Sequence, residues 1–304
     1  MGKSNFRFKT CYRFSLVFKD YKSYICPETS GLFFMQNISS LSTNRAFLYG
    51  DAVFETVKIV KSKILFLEDH YFRLMSSMRI LRMEIPMNFT MEYFENIILS
   101  EVKLNKLDES SRARITVYRN DGGFYLPEDN NVGFDITVSA LEKQWYEFES
   151  TKYEVDLYKD FYISKQLIST LKSTNKIINI TGSIYAKENG YENCLLLNDD
   201  KNIVEALQGN IFMLKEGVLS TPPISDGCLN GIMRKQILNI SRKIEGIIVE
   251  EKSISPFDLQ KADELFITNV IKGIQPITKY RKKEYSNNFS HSILEKLNEE
   301  IKNS

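Results

Sequence analysis

Runs of strand periodicity and helix periodicity interleave along most of this chain, and that interleaving most limits the folds open to it. AVFETVKIV (52–60) and ILFLEDH (64–70) are β-branched and aromatic runs separated by KSK, so they predict a hairpin. Tyr71, Leu74, Met75, Met78 and Leu81 then recur at three- and four-residue spacing, which predicts an amphipathic helix. A second helix is expected over 91–106. ARITVYR (113–119) and GFDITVSAL (133–141) read as strands, with NDGG (120–123) breaking the chain between them. From 142 to 151 the pattern lapses into charged and aromatic residues, which predicts a linker. Residues 175–189 predict a helix with Ile177, Ile180 and Ile184 on one face and Gly190 as its stop. NCLLLNDDKNIVEAL and NIFMLKEGVLSTPP predict a strand meander with turns at 198–201 and 215–217. A helix opening after Gly231, a late strand ELFITN and a final helix marked by Ile293, Leu294, Leu297 and Ile301 complete the pattern. The expected class is α+β with two layers of mixed sheet and no internal repeat, in one or two domains for 304 residues.

Composition narrows the function. Forty basic residues against 39 acidic ones leave a net charge of +1, with the signs mixed along the chain. That balance provides no electrostatic footprint for nucleic acid. Cys11, Cys26, Cys194 and Cys228 form no C-x-x-C pair, and His70 and His291 are the two histidines, so a zinc site or a histidine-based triad is poorly supplied. Free thiols in a reducing cytoplasm are the expectation. No apolar run reaches the length of a membrane span. The N-terminus carries Lys3, Arg7, Lys9, Arg13 and Lys19 before any acid, without a continuous apolar segment, so residues 1–30 are expected to be an extension and the fold to begin near Met35.

Several separated stretches hold chemistry. In LKSTN (171–175), Lys172 offers a compact amine whose pKa falls on desolvation, although a lysine taken alone is most often a solvated surface residue. VEALQGNIF (204–212) sets Glu205 at a strand end, where a solvated carboxylate is the ordinary alternative. LNGIMR (229–234) puts Asn230 and Gly231 ahead of a helix whose first N–H groups, at Ile232 and Met233, would face an anion. An ordinary capped helix satisfies the same residues. Arg73 in DHYFRL (69–74) shares its helix with Arg79 and Arg82, so nothing local singles it out.

Read in order with RAFLYGDAVFET (45–56) and ADELFITN (262–269), these stretches make the chain resemble the fold-type IV pyridoxal-phosphate enzymes, the class IV aminotransferase family. That family holds branched-chain aminotransferases, D-amino-acid aminotransferases and 4-amino-4-deoxychorismate lyases. The resemblance covers roughly residues 32–280. It implies a two-domain fold, with a smaller N-terminal α/β domain over 31–143, a linker over 144–152 and a larger C-terminal mixed α+β domain over 153–304. It implies pyridoxal 5'-phosphate as cofactor, attached covalently through Lys172, which then serves as the proton-shuttling base. Glu205 is implied to keep the pyridine nitrogen protonated. Arg73, Gly231, Ile232, Met233 and Thr268 are implied to hold the phosphate. Tyr49 and Phe54 would wall the substrate side, Asn269 would face the substrate, and Arg114 or Arg119 could pair with a substrate carboxylate. His70 reads as structural. A homodimer with a small-molecule substrate is implied, with neither nucleic acid nor membrane as partner.

The branch is read from motif versions. D-amino-acid aminotransferases share an R-x-H element after the RITV-like strand, and RNDGGFYLPEDN has no such histidine. Branched-chain enzymes read FEG where this chain reads FET. The FET, LNGIMR and FITN versions look like those of aminodeoxychorismate lyase, which releases 4-aminobenzoate and pyruvate. A class IV aminotransferase acting on branched-chain or other small amino acids with 2-oxoglutarate is the alternative. Ala52 in place of the glycine of YGDG, Lys176 where aminotransferases often carry an aromatic, and the altered RNDGG loop bear on substrate choice.

Overall fold

The structure, a computed structural model, describes residues 42–149 and 151–303, so the extension expected over 1–30 lies outside the described residues. The first part of the described chain runs α1 (Arg45–Tyr49), β1 (Ala52–Val60), β2 (Lys63–Ile64), α2 (Leu67–Ile80), α3 (Met91–Leu104), β3 (Ser110–Arg119) and β4 (Val132–Ala140). These strands form one antiparallel sheet in the order β2-β1-β3-β4. Helices α2 and α3 cover it: Leu74, Met78, Phe94 and Ile98 pack with Ile59, Ile115 and Val117 in one buried cluster. Truncating the fully buried Phe94 to alanine would cost about 3–5 kcal/mol.

The expected hairpin is mostly helix. β2 is two residues long and α2 begins at Leu67, because Phe66 takes a left-handed conformation (φ 57°) that turns the chain out of the sheet. Glu68 and Asp69 then sit in the helix's first turn, where its dipole favours them.

The remaining elements are β5 (Glu154–Ile163), α4 (Ile177–Glu188), β6 (Asn193–Asn198), β7 (Ile203–Ala206), β8 (Asn210–Lys215), β9 (Val218–Thr221), α5 (Ile232–Ser241), β10 (Ile248–Glu251), α6 (Pro256–Leu259), β11 (Glu264–Asn269), β12 (Gly273–Ile277), β13 (Lys279–Tyr280), β14 (Lys283–Glu284) and α7 (Asn288–Asn303). They build two five-stranded mixed sheets, β10-β9-β8-β11-β12 and β14-β13-β5-β6-β7. The described residues therefore hold three sheets instead of the expected two layers. One cluster, with Leu195, Ile203, Ile211, Leu265 and Ile277, draws on strands of both five-stranded sheets. A second, with Phe212, Ile237, Phe266, Ile293 and Leu297, seats α5 and α7.

The stretch expected as a linker has no regular element but is anchored. Tyr146 is buried and its hydroxyl donates to Val270 O at 2.7 Å. Its N–H donates to Asn298 Oδ1 at 3.1 Å, and Asn298 Nδ2 donates to Tyr146 O at 2.7 Å. Among the described residues no helix is long and apolar enough to cross a membrane, and no cluster of His, Cys, Asp and Glu could hold a metal ion.

Candidate active site

All nine residues of β1 are buried, including two charged ones, Glu55 and Lys58. Glu55 explains itself through α2. Arg73 Nε donates to its Oε1 at 2.7 Å and Nη2 to its Oε2 at 2.6 Å, a bidentate ion pair, while His70 Nδ1 lies 2.8 Å from Oε2. Burial pushes the Glu55 carboxyl up, but the Arg73 guanidinium and the His70 hydrogen bond outweigh it and hold it at about 2. Burial lowers the His70 pKa, so the ring is neutral and donates through Nδ1. Arg73 uses its third nitrogen, Nη1, on Asn230 O at 2.8 Å. The guanidinium is thereby fixed between the first sheet and the turn that opens α5.

The stretch 171–175 lies against the start of β1. Phe54 N–H donates to Lys172 O at 2.8 Å and Thr174 N–H to Ala52 O at 3.1 Å, with Val53 and Ser173 bridged between them. Thr174 Oγ1 and Asn175 Nδ2 both donate to Gly50 O, at 3.1 and 3.2 Å. These bonds determine where the Lys172 side chain goes. Its Nζ sits 4.6 Å from the Phe54 ring centroid. Burial, then the nearby Arg73 charge, lowers its pKa to about 7. An amine so placed is available as a nucleophile and base near neutral pH.

Glu205 closes the other side. Its Oε2 accepts from Leu229 N at 2.9 Å, yet burial raises its pKa against that bond and the charges of Lys176 and Lys172. Asn210 Nδ2 donates to Leu229 O at 2.8 Å and so shapes the turn into α5. At the N-cap of α5 stands Gly231, with no side-chain cap. A Cβ there would collide with Asn210 Oδ1, so the close approach requires glycine. The first N–H groups of α5 have no partner within the helix and point outward from its end. Thr268, paired with Asn210 across β8 and β11, carries a buried hydroxyl with no hydrogen-bond partner.

These pieces line one cavity of about 240 Å³. Of the residues expected at the site, it brings together Phe54, Arg73, Lys172, Glu205, Gly231, Ile232, Met233, Thr268 and Asn269. Tyr49 and Arg114 do not line it. Tyr49 packs against Tyr125, and Arg114 lies behind the wall with its guanidinium 3.8 Å from the Phe54 ring centroid. Arg119 is turned elsewhere, donating to Asp51 Oδ2 at 2.9 Å and Leu81 O at 2.7 Å. Lys176, marked in the sequence only as a departure from the family's pattern, lines the cavity, and so do Asn179 and Gln208, which sequence reading did not select, nor did it select Glu55, which positions Arg73. The signal for Glu55 was available: an acidic residue inside an otherwise β-forming run needs a buried partner.

The donor set tests what could be held here. An unpartnered hydroxyl, an uncapped helix end and a fixed guanidinium at one end suit a phosphate. An amine of lowered pKa suits an aldehyde, and a buried carboxyl without a bonded cation suits a basic ring nitrogen. The residues therefore fit a phosphorylated heteroaromatic aldehyde.

Comparison with known proteins places the whole assembly. The model of the family described as amino-transferase class IV matches residues 52–280. A Methanocaldococcus jannaschii protein, provisionally named a branched-chain-amino-acid aminotransferase, is 29% identical over 259 residues, covering 85% of this chain and 88% of its own. Two solved structures share the fold, each with a TM-score of 0.76. One, from Legionella pneumophila and provisionally named 4-amino-4-deoxychorismate lyase, is 21% identical and covers 87% of this chain and 96% of its own. The other, a branched-chain amino acid aminotransferase from Thermobaculum terrenum in its pyridoxal-phosphate form, is 23% identical and covers 87% and 89%.

Proposed function

Because this chain belongs to the class IV aminotransferase family and is a pyridoxal-phosphate enzyme, we propose that it is a lyase converting 4-amino-4-deoxychorismate into 4-aminobenzoate and pyruvate. The reading rests on the lyase-like versions FET, LNGIMR and FITN, and what supports it is that the three stretches carrying them meet at one place. Glu55 of FET grips Arg73, Arg73 reaches the Asn230 carbonyl of LNGIMR, and Thr268 of FITN lines the same cavity.

The bound cofactor supplies an electron sink for the charge that develops when a proton leaves substrate carbon. The chain's residues do the rest. Lys172 would hold the cofactor through its aldehyde, and its Nζ would accept the proton that leaves the substrate's ring C4. A pKa of about 7 lets that amine take and return protons near neutral pH. Glu205 would keep a proton at the cofactor's ring nitrogen. Arg73, the first N–H groups of α5 and the Thr268 hydroxyl would hold the phosphate. Phe54 covers the amine and excludes water from it. The substrate's C–O bond then breaks, the enolpyruvyl group leaves and takes a proton at its methylene carbon, and the ring becomes aromatic. Atoms balance without an added oxidant or reductant.

A second reading has its own support. The 29% identity to a protein provisionally named a branched-chain aminotransferase favours transamination of a branched-chain or other small amino acid with 2-oxoglutarate. Product analysis separates the two: the purified enzyme given aminodeoxychorismate forms 4-aminobenzoate and pyruvate. Absence of both, with turnover of an amino acid and 2-oxoglutarate, overturns the lyase assignment. Lys172→Ala abolishes the visible cofactor band and turnover under either reading.

Assembly as a homodimer belongs to the same proposal. On α4, Ile177, Ile180 and Ile184 are 67%, 54% and 53% exposed, an apolar face that a second copy of the chain would cover. Cys194 and Cys228 are free and buried, in keeping with a reducing cytoplasm.

A further inference from the structure

Glu55 and Lys58 are the two charged residues of the buried strand β1, and the site described above accounts for Glu55 alone. Three positions apart, they point to opposite faces of the strand. Lys58 is 3% exposed. Its ammonium donates to Lys143 O at 3.2 Å and lies 4.7 Å from the centroid of the Tyr146 ring. Glu147, the acid whose charge it feels, is paired with Lys143 Nζ at 2.9 Å, and burial lowers the Lys58 pKa to about 8. Burying an ammonium is costly, and here a carbonyl and a ring face offset that cost.

The ring in turn reaches the cavity. Tyr146 OH donates to Val270 O at 2.7 Å, and Val270 lines the cavity beside Thr268 and Asn269. Gly273, at φ 75°, closes the same turn against the ring, which a Cβ there would meet at 2.7 Å. Asn269 Oδ1 accepts from Ile271 N at 3.1 Å and Lys272 N at 2.9 Å, so the turn is braced from within. β1 thus reaches two turns of the cavity, each through one side chain and one carbonyl. Glu55 acts through Arg73 on Asn230 O, and Lys58 acts through Tyr146 on Val270 O. The two turns meet at Asn210, which pairs with Thr268 across the sheet and abuts Gly231.

We propose that Lys58 and Tyr146 are a positioning pair that sets the turn between β11 and β12, so that the Thr268 hydroxyl meets the cofactor phosphate. The inference rests on the reading of Thr268 as a phosphate donor and is the same for elimination and for transamination. Neither residue of the pair touches the ligand. Their effect is a preference for the phosphorylated ring over the same ring without its phosphate.

Equilibrium titration of the cofactor-free protein with pyridoxal 5'-phosphate and with pyridoxal tests this. Tyr146→Phe removes one oxygen and is expected to weaken the phosphorylated ligand about tenfold, on the order of one lost hydrogen bond, and pyridoxal by less than about twofold. Lys58→Met acts in the same direction, and Lys58→Arg, which keeps a cation over the ring, recovers most of the affinity. Added to Tyr146→Phe, Lys58→Met changes little further, because both act through one contact. The phosphorus NMR resonance of the bound phosphate shifts in the weakened variants. Equal loss for both ligands, additive losses in the double variant, or an unchanged affinity ratio overturns the proposal, even where urea unfolding shows lower stability. If Lys58→Met does not fold, the Tyr146→Phe titration decides alone. Thr268→Val separates the premise from the inference. If it leaves the preference for the phosphorylated ligand intact, the phosphate role of Thr268 fails and the proposal falls with it. If it erodes that preference and Tyr146→Phe does not, the positioning pair alone is overturned.

Discussion

Glu55 sits where every neighbour in its strand is buried, and it nevertheless stays ionised because Arg73 and His70 both meet it. Its depressed pKa has a consequence for stability. A carboxyl held at about 2 in the folded chain and at 4.5 in the unfolded one stabilises fully above pH 4.5 and loses that contribution as pH falls towards 2. Glu55→Gln leaves the Arg73 charge without its partner and should cost about 3–5 kcal/mol by urea unfolding at pH 7. The gap between variant and wild type should narrow below pH 4.5, and a constant gap would contradict this account. The Lys172 pKa is also depressed, but because burial disfavours its charged form. Burial depresses its pKa from 10.5 to about 7, so the folded chain binds fewer protons than the unfolded one between those values and gains stability as pH rises through that window. The neutral amine is the nucleophile. Cofactor capture by the cofactor-free protein, followed by the growth of visible absorbance, should accelerate up to about pH 7 and then level off. A rate still climbing at pH 10 would mean the amine is not desolvated.

At the scale of elements, the turn into α5 carries the sharpest steric demand. Gly231→Ala drives a methyl group into Asn210, the side chain that ties down the Leu229 carbonyl. The expected result is about 1–3 kcal/mol of lost stability, from strain of an overpacked site. Cofactor binding should weaken with it, read by equilibrium titration of the cofactor-free variant. Unchanged cofactor affinity would separate this turn from the phosphate. Elements differed in how far the sequence exposed them. β1 is legible to the residue, because β-branched and aromatic residues dominate its nine-residue run. Helices α2, α3 and α7 were recognisable by apolar spacing. Short strands such as β10 and β13 were not read, since each is defined by parallel pairing with a distant partner, β9 and β5 respectively. The second half of the expected hairpin became helix because one left-handed residue, Phe66, overrode an apolar run.

For the whole molecule, the outward isoleucine face of α4 gives the assembly proposal a direct check. Ile180→Asp should convert a dimer into a monomer in sedimentation velocity without unfolding it, because the side chain is 54% exposed in the single chain. A wild type that sediments as a monomer would remove the proposal. The same isoleucines show where local pattern stops: their spacing marked one face of a helix but not whether that face turned inward. By itself, the sequence determined the residues available for chemistry and the periodicity of the longer elements, since backbone propensity and side-chain spacing act over a few residues. It marked Arg73, Lys172, Glu205, Gly231 and Thr268 as candidates. Only the tertiary structure decided that Glu55 would brace Arg73, that Lys176 would enter the cavity, and that Arg119 would turn to Asp51. Those outcomes depend on contacts between remote segments, as when Arg73 meets a carbonyl 157 positions away, and the pattern of either segment alone does not encode its partner.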